Sequence, residues 1–231
     1  MVSFDAERLI EWVRSLELVK RGAESEIRVG SFMGLEAVFK LRVPKPYMDP
    51  ELDLELRSFR TRREAKAMAA AISGGVRAPR VYAVFPSAGL IVMERIKGPL
   101  LKERLQVHGD HGHLLHEAGG MLARLHRAGL VHGDPTTSNY IVAETGMLYL
   151  IDYGLSSFST SIEDRAVDIH LFRRALESTH ATIAQEAFTN FMEGYKRVMG
   201  EEAGKVEERA EEIRLRGRYV EKRRTIWGRT L

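Results

Sequence analysis

The hydrophobic positions in the first half of the chain recur at two different spacings. Helical spacing predicts a short leading helix with an apolar stripe of Leu9, Ile10, Val13 and Leu16. Period-two alternation then predicts strands over 16–23, 24–32 and 35–43, broken by Gly22 and by the stretch 30–34. In the third strand one face is predicted to carry Leu35, Ala37, Phe39 and Leu41. The opposite face carries Val38, Lys40 and Arg42.

A long helix is predicted after these strands. Asp49 suits the N-cap and Pro50 the first helical position, where no backbone amide is needed. The helix is expected to end at the glycine pair 74–75, and two further strands follow over 80–85 and 89–96. The second of these is mostly apolar, which is typical of a buried strand. The Gly-Pro pair at 98–99 is the predicted linker to the second half.

The second half is mainly helical. Helices are predicted over 100–105 and 113–129, short strands over 140–143 and 148–152, and helix beyond. Gly119 and Gly120 lie inside a predicted helix, at a cost of about 1 kcal/mol each relative to alanine, so a close neighbour is expected there. We therefore predict an α+β fold of two lobes: an antiparallel-sheet N-lobe with one long helix (1–96), a mainly helical C-lobe (97–213) and a basic C-terminal tail (214–231).

Composition excludes several classes of protein. The 231 residues contain no cysteine, which rules out a disulfide scaffold, a thiol nucleophile and a thiolate metal site. No apolar run approaches the roughly 20 residues of a membrane span. The charged, amphipathic start does not resemble a signal peptide. We therefore expect a cytoplasmic protein without a membrane partner.

Charge is distributed unevenly along the chain. The net charge is +3, yet the last eighteen residues contain seven basic residues and a single acid, Glu221. Such a tail favours an anionic partner such as a nucleic acid. The candidate contacts are Arg214, Arg216 and Arg218. The alternative is the solvated end of an amphipathic helix.

The candidate chemistry lies in the segment 130–156. Asp134 and Asn139 are five positions apart, and Asp152 follows thirteen residues after Asn139. This spacing around two short strands is typical of the phosphoryl-transfer site of protein kinases. Asn139 and Asp152 offer oxygen ligands of the kind that Mg²⁺ prefers, and Asp134 is the candidate proton acceptor for the hydroxyl attacking ATP. The alternative is a hairpin built from turn-forming residues.

A second His-Gly-Asp sequence, at 108–110, provides an internal comparison. Five residues after Asp110 comes Leu115, which cannot bind a metal ion. Only the copy that ends at Asp134 is followed by the complete set of polar residues. We therefore interpret the first copy as a loop.

Lys40 is the candidate for binding the phosphates of ATP that are not transferred. A strand lysine can do this if a glutamate on the following helix holds it. Among the carboxylates of the long helix we choose Glu64, near its middle. The alternative is an exposed helical pair of Glu64 with Arg60.

The apolar strand over 89–96 is expected to end at the hinge between the lobes. There Met93 would face the adenine of ATP, while the backbone carbonyl of Glu94 and the amide of Ile96 would bind its edge. A plain core strand is the alternative for this segment. Gly22 is the candidate residue covering the phosphates.

With these residues in view, the sequence resembles the small atypical protein kinase of the KEOPS complex, which serves threonylcarbamoyladenosine modification of tRNA. The resemblance covers about residues 18–227. It rests on KRGAESE, LRVPKPYMDPELDLELRSFRTRREA, VHGDPTTSN, LYLIDYGLS, EDRAVDIHLFRRALESTH and IRLRGR. It implies Asp134 as proton acceptor, Lys40 as the phosphate-binding lysine, and Asn139 with Asp152 as Mg²⁺ ligands.

The resemblance also carries expectations about fold and partners. It implies a trimmed protein-kinase-like bilobal fold and a serine/threonine kinase or ATPase activity that uses ATP and Mg²⁺. The implied partners are the tRNA-modifying, ASKHA-fold subunit and the other KEOPS subunits. We expect tRNA to be reached through the basic C-terminal tail.

The chain departs from common kinase patterns at several positions. Pro135 stands where the family usually has leucine, and Tyr153 where phenylalanine is commoner. Gly22 alone replaces a G-x-G-x-x-G loop, so the turn over the phosphates is expected to be less flexible. Gly133 replaces the arginine with which conventional kinases bind a phosphorylated activation loop, so that form of gating is not expected.

Three other functions fit parts of the sequence. A RIO-type ribosome-assembly kinase is similarly small, but the PKPY and RTRREA stretches argue against it. Aminoglycoside and choline phosphotransferases usually carry an acid two residues after the second aspartate, where this chain has Gly154. A non-catalytic scaffold bridging a partner protein and tRNA is disfavoured because Lys40, Asp134, Asn139 and Asp152 are all present.

Overall fold

The computed structural model describes residues 6–107 and 109–227, with residues 217–227 described as helix backbone only. Within these residues the chain forms seven α-helices and nine strands. The helices are α1 Ala6–Ser15, α2 Pro50–Ser73, α3 Leu101–Arg104, α4 Gly112–Arg127, α5 Ile162–Thr179, α6 Ala184–Met199 and α7 Glu202–Trp227. The strands are β1 Glu17–Arg21, β2 Ser25–Phe32, β3 Leu35–Arg42, β4 Val81–Phe85, β5 Leu90–Glu94, β6 Leu130–Val131, β7 Tyr140–Val142, β8 Leu148–Leu150 and β9 Ser157–Phe158.

The first lobe is an antiparallel five-stranded sheet in the order β1-β2-β3-β5-β4. Helix α1 covers one face, where Val13 packs in a cluster with Phe39 and Leu41 of β3. The opposite face of β3 presents Lys40 toward α2, as the alternation predicted. Leu35, at the start of β3, lies beyond this cover and is exposed. The central strands β3 and β5 are therefore largely buried, whereas the edge strand β1 is exposed along its length.

Helix α2 begins and ends where the sequence predicted. The Asp49 side chain accepts hydrogen bonds from the amides of Glu51 and Leu52, at 3.1 and 3.0 Å, and Pro50 is the first helical residue. The amide of Gly74 donates back to the carbonyl of Ala70 and ends the helix. Between these two ends, the middle of α2 is buried against the sheet.

The second lobe is built around a close contact of α4 with α6. A Cβ atom on Gly119 would lie 1.8 Å from the carbonyl oxygen of Phe191, and one on Gly194 would lie 1.8 Å from that of His116. The close neighbour predicted from the helical glycines is confirmed at Gly119. Gly120 meets its surroundings at ordinary contact distance.

One apolar core continues from α2 into the second lobe, joining Met68 to residues of α3, α4, α5 and α6. Two small antiparallel sheets, β6–β9 and β7–β8, lie between the helices and carry the loops of the candidate site. Among the residues that the structure describes, no helix is both long and apolar enough to cross a membrane.

The boundary drawn at residue 214 does not separate a tail in the structure, because α7 continues through it to Trp227. Arg214 was predicted to contact a nucleic acid, but in the structure its side chain is held within the fold. Its guanidinium pairs with Glu211 at 2.5 Å and Glu177 at 3.5 Å, and its side chain is only 15% exposed. Arg216 is 61% exposed, with Glu212 at 3.7 Å. The side chain of Arg218 lies outside the described residues.

Candidate active site

Lys40 lies at the centre of the candidate site. Its Nζ donates to Oε1 of Glu64 at 2.6 Å and to Oδ1 of Asp152 at 2.7 Å. Burial acts to lower the pKa of Lys40, but the two carboxylates outweigh it and hold the pKa above its usual value. The lysine is therefore charged, and it joins the sheet of the first lobe to the second lobe.

Glu64 binds two cations from the same strand. Its second oxygen accepts from Nη2 of Arg42 at 2.5 Å, and the Glu64 side chain is 1% exposed. The alternative partner, Arg60, is instead bound to Glu24. The structure thus brings Glu64 to Lys40 rather than leaving it in an exposed helical pair. Arg42 was not singled out from the sequence, although it shares a strand face with Lys40.

Asp134 and Asn139 form the second part of the site. Nδ2 of Asn139 donates to the Asp134 backbone carbonyl at 2.7 Å and to its carboxylate Oδ2 at 2.8 Å. Partial burial raises the pKa of Asp134 above its usual value, against the opposing effect of the Asn139 hydrogen bond. A raised pKa makes this carboxylate a better proton acceptor.

The backbone of the loop that carries Asp134 is bound by Asp168 of α5. This residue was not identified from the sequence. Asp168 accepts from the amides of His132 and Gly133 at 2.7 and 2.8 Å, and from Nε2 of His126 at 3.1 Å. Its side chain is 1% exposed. An acid among the buried positions of an amphipathic helix was the available signal, because a buried charge requires partners.

His132 and His126 are buried neutral groups of the same network. Nε2–H of His132 donates to the carbonyl of Ile151 at 3.1 Å, while its Nδ1 accepts from the Asp134 amide at 3.3 Å. His126 pairs through Nδ1 with the hydroxyl of Tyr195 at 2.8 Å. Burial lowers the pKa of both histidines. Within this buried group the Asp168 carboxylate accepts from His126 and from two backbone amides.

Gly133 is required by the backbone. Its φ is +81°, and a Cβ atom there would lie 2.6 Å from the carbonyl oxygen of Leu155. A larger residue would force apart the loops that carry Asp134 and Asp152. The position where conventional kinases have arginine is thus closed to any side chain by this contact.

A cleft of about 240 Å³ lies between the lobes, beside Lys40. The three predicted hinge residues all line it, as do Lys40, Glu64, Asn139 and Asp152. Its walls are mainly apolar and include Val19, Ile27, Val38, Met68, Met93, Ile96, Leu100, Ile141 and Ile151. Gly22 is not among the lining residues; it forms the nearby turn between β1 and β2. An apolar slot with charged groups at one end suits a purine with attached phosphates.

The donor set at the charged end fits a magnesium ion. Because Nδ2 of Asn139 is used twice by Asp134, the amide oxygen Oδ1 faces elsewhere and remains an acceptor. Asp152 uses only Oδ1 toward Lys40 and the Gly154 amide, so within the described residues Oδ2 has no protein hydrogen bond. The Lys40 ammonium outweighs burial and holds the pKa of Asp152 below its usual value. Hard oxygen ligands, one of them charged, are the ligands of Mg²⁺.

Comparison with known sequences shows the family. A profile described as the ABC1 atypical kinase-like domain matches residues 22–202. The KEOPS complex subunit Bud32 of Pyrococcus abyssi is 42% identical over 216 residues, which are 90% of this chain and 98% of that protein. A probable serine/threonine-protein kinase BUD32 homolog of Archaeoglobus fulgidus is 40% identical over 87% of this chain and 95% of its own.

Two further similarities bear on length and fold. A probable bifunctional tRNA threonylcarbamoyladenosine biosynthesis protein of Methanothermobacter thermautotrophicus is 36% identical over 92% of this chain, which spans only 40% of that protein. The Rio2 kinase of Chaetomium thermophilum, solved as an ADP/Mg²⁺-phosphoaspartate complex, superposes with a TM-score of 0.59 at 15% identity. That match covers 92% of this chain and 75% of the Rio2 chain, and it shows the fold alone.

The profile match and the identity of nearly full-length relatives agree with the geometry of the cleft. The chain belongs to the Bud32 family of atypical serine/threonine protein kinases.

Proposed function

We propose that this protein transfers the terminal phosphoryl group of ATP to a serine or threonine hydroxyl or to water, as the kinase subunit of a KEOPS complex. The observation that carries the proposal is the double contact of Lys40 with Glu64 and Asp152 across the cleft. It sets a fixed positive charge beside two magnesium-type ligands, in a slot shaped for a nucleotide. Transfer of a phosphoryl group requires this kind of positioning and charge stabilisation.

Each residue of the site has a distinct part in the proposed reaction. Lys40, held by Glu64, binds the non-transferred phosphates, while Asn139 and Asp152 hold Mg²⁺, which neutralises the phosphate charge. Asp134 orients the accepting hydroxyl or water and takes its proton at a carboxylate oxygen. Met93 would face the adenine of a bound nucleotide, and the Glu94 carbonyl and the Ile96 amide would bind the adenine edge.

The biological setting is proposed from the relatives. The Pyrococcus protein is named as a KEOPS subunit, and the Methanothermobacter protein is named as bifunctional. A second activity within one longer chain supports a kinase that works beside a tRNA-modifying subunit. We therefore extend the proposal to an ASKHA-fold partner, the other KEOPS subunits and tRNA, in the cytoplasm. Exposed Arg216 and the basic residues after it are the candidate tRNA contacts, without Arg214.

The proposal is tested by measuring phosphate release and serine/threonine labelling from radiolabelled ATP. The purified protein is assayed alone, with the ASKHA-fold subunit, with that subunit and tRNA, and with ribosomal particles. The expected result is turnover that requires Mg²⁺ and changes severalfold when the partner and tRNA are added. Silence under every condition would instead support a scaffold that bridges partner and tRNA. Turnover that responds only to ribosomal particles would favour a RIO-type role.

A further inference from the structure

The turn between β1 and β2, residues 22–24, lies beside the proposed phosphate site. It is flanked by Lys20 and Ile27, which line the cleft together with Lys40. The Gly22 amide closes the turn by donating to the carbonyl of Ser25 at 2.8 Å. Ser25 is the cross-strand neighbour of Arg42, two residues beyond Lys40 on the same face of β3. The sheet therefore places the turn next to the cations of the site.

Glu24 fastens this turn to the rest of the lobe. Nη1 of Arg60 donates to both carboxylate oxygens of Glu24, at 2.9 Å each. Lys45 and Arg42 approach the same carboxylate at 3.4 and 3.7 Å. The backbone takes part as well, because the amide of Val43 donates to the Glu24 carbonyl at 3.2 Å. We call Glu24 with Arg42, Lys45 and Arg60 the turn clamp.

The turn clamp is connected to Lys40 by a short chain of ion pairs. Arg42 lies between two carboxylates, with Glu24 on one side and Glu64 on the other. Glu64 in turn binds Lys40 through its remaining oxygen. Arg42 thus links the turn, through an ion pair at 3.7 Å, to the glutamate that holds the phosphate-binding ammonium.

A turn that is already held in place loses less conformational entropy when a nucleotide binds. A free turn of three residues must lose backbone freedom when it closes over phosphates, and this loss subtracts from affinity. The turn here has Gly22 but no run of glycines, so it cannot mould itself around the phosphates as a glycine-rich loop does. Its position before the nucleotide arrives therefore determines how well it receives the phosphates.

We propose that Glu24 is a positioning residue for the phosphates of the bound nucleotide, acting through Arg60 and Arg42. The proposal rests on the proposed nucleotide site. Glu24 holds the turn against α2 in the geometry that receives the phosphates, and it does not itself touch them. A simple surface pair is the competing explanation, since Glu24 and Arg60 are 46% and 42% exposed.

The two explanations differ in which ligands they affect. A surface pair of this exposure contributes little to folding, and its loss should not distinguish one ligand from another. A turn that receives phosphates affects Mg²⁺·ADP but not adenosine, because adenosine lacks the phosphates. The ratio of the two dissociation constants therefore reports on the clamp and is insensitive to general loss of stability.

The experiment is calorimetric titration of the full chain with Mg²⁺·ADP and with adenosine. Glu24→Gln and Arg60→Gln each remove one side of the clamp. Glu177→Gln is the matched control, because Glu177 is 40% exposed and also pairs with two arginines, on α5 of the other lobe. We expect each clamp variant to bind Mg²⁺·ADP roughly five- to tenfold more weakly, with adenosine within twofold of wild type. The double variant should be no weaker than either single variant, and the control should match wild type.

The outcomes are separable. If the clamp variants bind Mg²⁺·ADP and adenosine equally more weakly, the clamp proposal is wrong and the nucleotide site stands. The same holds if wild type binds both ligands and Glu24→Gln binds Mg²⁺·ADP as tightly as wild type. Failure of the wild-type protein to bind either ligand would overturn the nucleotide site and the clamp together.

Discussion

Replacement of Asp168 by asparagine tests how the buried carboxylate holds the catalytic loop. Oδ1 of Asp168 accepts from the Gly133 amide, and Oδ2 accepts from the His132 amide and from His126. Asparagine retains one acceptor oxygen, so the arrangement that loses least turns its NH₂ group toward Gly133. The partly buried N–H of Gly133 then faces the donor NH₂ group and lacks an acceptor, which costs about 1–3 kcal/mol, and the remaining bonds lose the carboxylate charge. We expect the free energy of unfolding to fall by about 2–4 kcal/mol in total.

The effect on catalysis should be larger than the effect on nucleotide binding. A displacement of Gly133 moves Asp134, the next residue, and a shift of about 1 Å at a reacting group can lower the rate about 100-fold. Lys40, Met93 and Asp152 lie on other elements, and of the proposed ligands only Asn139 is bound to Asp134. The dissociation constant of Mg²⁺·ADP should therefore change by less than about tenfold, well below the loss of turnover.

The assay for Asp168→Asn combines urea unfolding, ATP turnover and ADP titration on the same preparation. Glu177→Gln, on the same helix but at its exposed end, is the control for a lost carboxylate and should leave all three quantities unchanged. Turnover within twofold of wild type in a measurably destabilised Asp168→Asn protein would refute the reasoning. It would show that Asp168 supports the fold without determining the position of Asp134.

Two other predictions concern stability. Gly119→Ala should lower the free energy of unfolding by about 3 kcal/mol or more, because its Cβ would overlap the Phe191 carbonyl. Gly204→Ala, in the open part of α7, should be neutral or raise the free energy of unfolding by up to about 1 kcal/mol. Equal urea midpoints for Gly119→Ala and Gly204→Ala would contradict this prediction. Burial lowers the pKa of His126 and His132 below the unfolded value of about 6.5. The unfolded chain therefore binds more protons, and stability should fall as pH drops from 7.5 to 5.5. A urea midpoint that does not change across this pH range would contradict the prediction. His126→Gln should reduce the dependence of the midpoint on pH.

Most elements could be predicted because their signals are local. Asp49 and Pro50 specify the start of α2, and the glycine pair that follows specifies its end, within a residue of the observed bounds. Alternation along β3 separated the face under α1 from the face that carries Lys40. The two-residue strands β6 and β9 were not predicted, since each exists only by pairing with the other.

The candidate site could be predicted only where a motif fixes the spacing. Lys40 is 24 positions from Glu64 and 112 positions from Asp152 along the chain. Only the kinase pattern indicated that these side chains meet. No such pattern indicated Asp168, whose role depends on amides more than thirty positions away. The clamp residue Glu24 was missed for the same reason, because its partner Arg60 lies 36 positions along the chain.

The tail shows where charge counting fails. A sum over the last eighteen residues treats every arginine as available to a partner. Arg214 is instead held by Glu211 and Glu177 within the fold, whereas Arg216 is exposed. Whether a basic residue is neutralised depends on neighbouring helices, and this information is absent from the local sequence.

The central claim is that phosphoryl transfer occurs at Asp134, and one comparison tests it most directly. The chain contains two His-Gly-Asp sequences, and Asp110 of the first accepts a bond from the Gly112 amide at the start of α4, away from the cleft. ATP turnover is measured for wild type, Asp134→Asn and Asp110→Asn under the same conditions, with Mg²⁺ and the partner subunit present. The account predicts a loss of about 10²–10⁴-fold for Asp134→Asn and less than twofold for Asp110→Asn. Turnover in Asp134→Asn equal to that of wild type would contradict it.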